Sequence, residues 1–203
     1  MKISGAKLLL VTDPRPDLAD RVEAAVRGGV DIVQLRDKRA PREELIPLAE
    51  RLKEACGRAG ARFTVNDDVE LARLVGAAGV HLGEDDASTP LARSVLGPGA
   101  VVGRSAGGVA EALEAVRGGA DYLGVGAVYA TPTKPDGEVA GLALIRALAR
   151  EDLPVPWFAI GGVTLETAPA VAAAGAPGFA VVRAVLDAED PEWAARELRS
   201  ILG

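Results

Sequence analysis

The sequence predicts a single α/β domain, a closed (β/α)8 (TIM) barrel over residues 1–203. Three observations carry that expectation. Short apolar runs alternate with longer amphipathic stretches eight times along the chain, the rhythm of parallel strands joined by crossover helices. Glycine tags (RGGVD, GAAGV, RGGAD and AAGAPG) close four of the helical stretches just ahead of a strand. Nearly every chemically suggestive residue falls just past the C-terminal end of a strand, the face on which such barrels gather their sites. A doubly wound open sheet is the alternative, because periodicity does not report whether a sheet closes.

The predicted strands, in order, are KLLLVT (7–12), VDIVQLR (30–36), RFTVN (62–66), GVHL (79–82), AVVGRS (100–105), DYLGVGAV (121–128), PWFAIGG (156–162) and GFAVVR (178–183). Each is short and apolar, as a strand buried on both faces must be. The stretches between them, such as LADRVEAAVRGG, REELIPLAERLKEACGRAG and VAEALEAVRGGA, repeat apolar residues at three- and four-residue spacing and are read as helices. Asp68 and Ser88 sit where helices begin and are expected to be N-caps. No linker or low-complexity tract interrupts the pattern.

Composition narrows the function. With 49% hydrophobic and 26% charged residues, the chain has no apolar stretch long enough to span a bilayer, so no membrane partner is expected. The opening MKISGAKLLLVTDP lacks a full signal-peptide core and runs straight into a strand, so it is read as mature protein. A net charge of −6, without a basic stripe or aromatic platform, argues against a nucleic-acid partner. The lone cysteine, Cys56, excludes an internal disulfide framework and suits a reducing, cytoplasmic compartment. The single histidine, His81, excludes histidine-rich metal chemistry and is read as structural, with no partner evident for a Ser-His-Asp triad. Assembly with further copies of the chain stays open.

The strand ends carry the chemistry. TPTK (131–134) follows the sixth apolar run, placing the Thr131 and Thr133 hydroxyls and the Lys134 ammonium in a loop suited to a phosphate. On the second strand, Gln34, Arg36 and Lys38 alternate and so point to one side, where buried cationic groups need anions to meet them. Asn66, Asp67 and Asp68 close the third strand, and Glu84, Asp85 and Asp86 follow the fourth. Carboxylates from neighbouring strand ends can share Mg2+, which prefers oxygen ligands completed by substrate phosphates. Ser105 ends the fifth strand, although an isolated serine there is more often an N-cap. Gly161 and Gly162 follow the seventh, where barrels commonly build a phosphate site from backbone N–H groups.

In order and at suitable spacing, VTD, VQLRDK, VNDDVELA, GVHLGEDD, GRS, DYLGVGAVYATPTKPD, AIGGV and GFAVVRAV resemble the thiamine-phosphate synthase family. The resemblance implies a Mg2+-dependent transferase that couples hydroxymethylpyrimidine diphosphate to hydroxyethylthiazole phosphate and releases pyrophosphate. It implies that Gln34, Arg36, Lys38 and Asn66 contact the pyrimidine diphosphate, that Asp67 and Asp86 hold Mg2+, and that Ser105 and Lys134 contact the diphosphate. Thr131 and Thr133, with Gly161 and Gly162, are implied to bind the thiazole phosphate. Two positions depart from the family pattern: Glu84 replaces a usual glutamine, and Arg183 stands where serine commonly follows the last strand, within reach of the thiazole phosphate or of Asp187. Two other readings are a thiazole tautomerase-like isomerase, which needs a general base near residues 105–108, and a non-catalytic ligand-binding barrel.

Overall fold

A computed structural model describes residues 3–131 and 139–203. Thr133 and Lys134 therefore lie outside the described residues. Eight parallel strands close on themselves in sequence order: β1 (Leu8–Val11), β2 (Ile32–Leu35), β3 (Arg62–Asn66), β4 (Gly79–Leu82), β5 (Val101–Ala106), β6 (Tyr122–Val125), β7 (Trp157–Ile160) and β8 (Phe179–Val181). β1 pairs with β8, so the sheet has no edge and the open-sheet alternative is excluded. Around it lie α1 (Leu18–Arg27), α2 (Arg42–Ala59), α3 (Val69–Val75), α4 (Thr89–Leu96), α5 (Val109–Arg117), α6 (Gly141–Leu148), α7 (Ala168–Ala173), α8 (Arg183–Leu186) and α9 (Pro191–Ser200).

Alternation along the strands divides the core in two. Leu8, Leu10, Val33, Leu35, Val65 and Leu123 face outward under the helices, where Val22, Leu52 and Ile145 cover them. Leu9, Val11, Ile32, Tyr122, Phe158 and Ala180 fill the barrel interior. Fully burying a Leu or Phe side chain is worth about 2 kcal/mol, so the outer layer supplies most of the apolar stabilisation.

Asp68 and Ser88 are N-caps as expected, accepting from Leu71 N at 2.9 Å and Leu91 N at 3.3 Å. The third and fourth strands match their predicted spans. The sixth does not: its ladder stops at Val125, three residues before the expected end at 128. Beyond it the chain turns irregular while staying pinned to the exit of β7, with Val128 N and Tyr129 N donating to Ile160 O and Gly161 O at 2.9 and 3.0 Å. The second strand likewise ends at Leu35, so Arg36 and Lys38 belong to the loop that follows it.

At the N-terminal end of the barrel, Asp31 accepts from Lys7 N, Leu8 N and the Arg199 guanidinium at 2.7, 2.9 and 2.5 Å. Asp121 repeats the device, taking Val102 N at 2.7 Å and Arg93 at 2.8 Å. Each carboxylate ties the start of a neighbouring strand to a helix.

Candidate active site

A cavity of about 530 Å3 opens at the C-terminal ends of the strands, and every strand contributes to its lining. Gln34, Arg36, Asn66, Ser105, Thr131, Gly161, Gly162 and Arg183, all expected from the sequence, line it together. Register explains part of this: Gln34 pairs with Thr64, Asn66 with His81, and Ser105 with Gly124, so these inward-facing positions sit beside one another. Lys38 differs from the expectation. Its side chain is 61% exposed at the rim and pairs with Asp67, Nζ to Oδ2, at 3.1 Å.

Asp67 and Asp86 come together as expected. Asp67 has a left-handed backbone (φ 63°), a conformation that Asp tolerates better than most residues, and its N–H donates to His81 O at 2.8 Å. Burial, followed by the hydrogen bond with Asp86, raises the Asp67 carboxyl above the ordinary Asp range. Burial works against Asp86 too, but the hydrogen bonds from Asp67 and from Gly83 N hold it below that range. Two carboxylates in contact need either a shared proton or a cation between them. Their donor set is all hard oxygen, with no His or Cys among the groups in contact, and this fits a small divalent ion such as Mg2+.

His81, structural by its sequence context, has a richer environment than that. Its Nε2 lies 3.1 Å from Ser105 Oγ and its Nδ1 lies 3.2 Å from Tyr122 Oη. Ser105 is thus a strand residue held by an imidazole, not an N-cap; the residue at the start of α5 is Gly108. The arrangement is no catalytic triad, because a phenol stands where a carboxylate would be. Burial, and then the nearby Arg104, lower the ring's pKa to about 4, which leaves His81 neutral and weakly basic at physiological pH. That makes it a poor general base for an isomerase. The sequence signal that would have revealed the contact is register: His81 and Ser105 lie on adjacent strands, but the pattern of either run alone does not align them.

On the opposite arc, Gly161 and Gly162 both have positive φ, 97° and 65°, and a Cβ on either would strike Ala127 or Tyr129 at 2.7 or 2.6 Å. Only glycine fits, and the bare backbone lets a ligand approach the main chain closely. Arg183 lines the cavity from the start of α8 and forms no ion pair among the described residues. Asp187, its alternative partner, pairs instead with Arg15 at 2.7 Å. Arg15 also pairs with Asp13 at 2.7 Å and donates to Leu186 O, so it straps α8 to the loop after β1.

Comparison with known proteins is decisive for the family. The profile of the thiamine monophosphate synthase family matches residues 8–185. The chain belongs to that family. It is 43% identical over 216 residues to a thiamine-phosphate synthase of Mycobacterium tuberculosis, covering 99% of this chain and 96% of that one. A thiamine-phosphate synthase of a Synechococcus strain is 48% identical over 206 residues, covering 99% of this chain and 58% of the relative. The chain thus spans little more than half the length of the cyanobacterial relatives it matches. Among solved structures, thiamine phosphate pyrophosphorylase from Pyrococcus furiosus superposes with a TM-score of 0.87 at 38% identity, covering 97% of this chain and 95% of the other.

Proposed function

We propose that the chain, acting as one barrel domain over residues 1–203, is a thiamine-phosphate synthase. In this reading it transfers the hydroxymethylpyrimidine group from its diphosphate to the nitrogen of hydroxyethylthiazole phosphate, breaking a C–O bond, forming a C–N bond and releasing pyrophosphate. The observation that carries the reading is the division of the cavity. One arc holds Gln34, Arg36 and Asn66 beside the Asp67–Asp86 pair, and the other holds Gly161, Gly162, Thr131 and Arg183. Two separate anion-binding arcs in one cavity suit two phosphorylated substrates.

Asp67 and Asp86 would hold Mg2+, whose charge offsets that of a departing diphosphate. Arg36 and Lys38 supply further positive charge on the same side, while Gln34 and Asn66 orient the pyrimidine. Lys134 and Thr133 enter this reading from the sequence alone, as a second cation for the diphosphate and a donor to the thiazole phosphate. Departure of pyrophosphate leaves a methylene cation, which the electron-rich pyrimidine stabilises until the thiazole nitrogen captures it. No protein nucleophile is required, and positioning and electrostatics provide the catalysis. The reading also places the protein in the cytoplasm; among the described residues no helix is long and apolar enough to cross a membrane. Incubating the chain with both phosphorylated substrates and Mg2+ should yield thiamine phosphate and pyrophosphate in equal amounts, with loss of both in excess EDTA. Undiminished turnover in EDTA removes the metal assignment, and absence of product removes the function.

A further inference from the structure

A chain of hydrogen bonds runs through the barrel interior and only its last member, Ser105, is exposed. The Tyr122 hydroxyl, with Gln34 and Thr64 beside it, lies 3.2 Å from His81 Nδ1, and His81 Nε2 lies 3.1 Å from Ser105 Oγ. Gln34, Thr64, His81 and Tyr122 are 3, 0, 7 and 0% exposed. The two rings stand where neighbouring strands provide no side chain. Tyr122 covers Gly103, where any Cβ would collide with the ring, and a Cβ on Gly124 would lie 3.3 Å from His81 Cε1.

Each hydroxyl in this chain owns one proton, and a neutral imidazole owns one N–H. Fixing the direction of one bond therefore fixes the other along Ser105, His81 and Tyr122. An ionised phosphate oxygen only accepts, so Ser105 can hold one only by donating outward, and its own oxygen is then free to receive the His81 Nε2–H. Nδ1 becomes a bare acceptor for the Tyr122 O–H, and the Tyr122 oxygen is filled by the Gln34 amide and the Thr64 hydroxyl. In the opposite order Thr64 donates to Val33 O, 3.3 Å away, Tyr122 donates to Thr64, and His81 carries its proton on Nδ1. Ser105 would then spend its proton on Nε2 and offer the cavity only lone pairs. We propose that His81 is a positioning residue which, as the Nε2–H tautomer, commits Ser105 to donate into the cavity and so selects an ionised phosphate at that point. The inference rests on the functional reading above in one respect, that a diphosphate is what Ser105 meets.

The chain has a single histidine, so nitrogen NMR of isotope-labelled histidine reads this ring alone. With inorganic pyrophosphate and Mg2+ present, Nε2 should carry the protonated, pyrrole-type signal and Nδ1 the bare one; the reverse assignment overturns the proposal. Calorimetry with the same probes supplies a second test. His81→Leu should weaken pyrophosphate binding about tenfold. It should add nothing in a Ser105→Ala background, because His81 acts only through that hydroxyl. His81→Gln, which keeps an N–H donor, should recover most of the loss. Additive losses in the double variant, or wild-type pyrophosphate binding by Ser105→Ala, overturn the relay. Failure of the functional reading would appear separately, as no thiamine phosphate made by the wild-type chain from both substrates.

Discussion

The two ends of the barrel handle charge in opposite ways. At the N-terminal end, Asp31 satisfies the Lys7 and Leu8 amides and Asp121 that of Val102, each with an arginine, and those arginines reach further carbonyls, Arg199 to Gly29 O at 2.9 Å and Arg93 to Ala100 O at 2.7 Å. At the C-terminal mouth, two carboxylates press on each other, and Arg36 and Arg183 face the cavity without an ion pair among the described residues. Charge at the closed end is satisfied from within and holds strands to helices. The Arg36 and Arg183 charge at the cavity is held in reserve for something that arrives.

Substitutions that separate the two roles test this contrast. The largest expected effect is at the closed end. Asp31→Ala leaves the Lys7 and Leu8 amides without their acceptor and Arg199 without its carboxylate partner, and should cost about 3 kcal/mol in denaturant unfolding, with normal specific activity in the folded fraction. Loss of activity at unchanged stability would erase the distinction. Asp67→Asn is the mirror image: turnover should fall on the order of a hundredfold, while the unfolding midpoint holds or rises because a carboxylate–carboxylate contact is relieved. A strongly destabilised variant would move Asp67 to the structural side. Arg183→Ser should weaken hydroxyethylthiazole phosphate about tenfold, or ~1.4 kcal/mol, and leave the pyrimidine diphosphate unaffected; unchanged or tighter binding in separate titrations would show that Arg183 does not meet the phosphate. The smallest effect belongs to Asp68, which lies at the mouth but does structural work. Burial alone would raise its pKa, yet the Arg42 guanidinium and the Leu71 amide hold it below the usual Asp value. Its contribution is therefore present above the unfolded-state pKa and disappears as pH falls through the folded one. Asp68→Ala should cost about 1 kcal/mol at neutral pH, and the gap from wild type should close in acid; a gap independent of pH would assign the effect to packing.

Much of this molecule is legible in its sequence, for reasons visible in particular residues. RFTVN and GVHL are bounded by strong stops, so the sequence marks β3 and β4 at their full extent. The acid pair was legible because Asp67 and Asp86 each follow a strand end, and parallel strands that are neighbours in sequence order bring their ends together. The predicted sixth strand overruns β6 because Gly126, Ala127 and Val128 continue the apolar run, and apolarity does not tell a ladder from a loop packed on one. The Ser105–His81–Tyr122 contact was hidden for a different reason. It depends on β4, β5 and β6 sharing one register, which is set by closure of the whole barrel. Likewise, the pairing of Arg15 with Asp187 spans 172 residues and leaves no local trace.

Gly103 and Tyr122 occupy one volume from two strands. A larger residue at 103 fits only if the ring at 122 is cut down, and a smaller residue at 122 both opens a void over Phe158 and takes away the phenol beside His81. Neither position can change alone without loss, so across related sequences the two should vary as a pair, and a library randomising both should return glycine at 103 wherever tyrosine survives at 122.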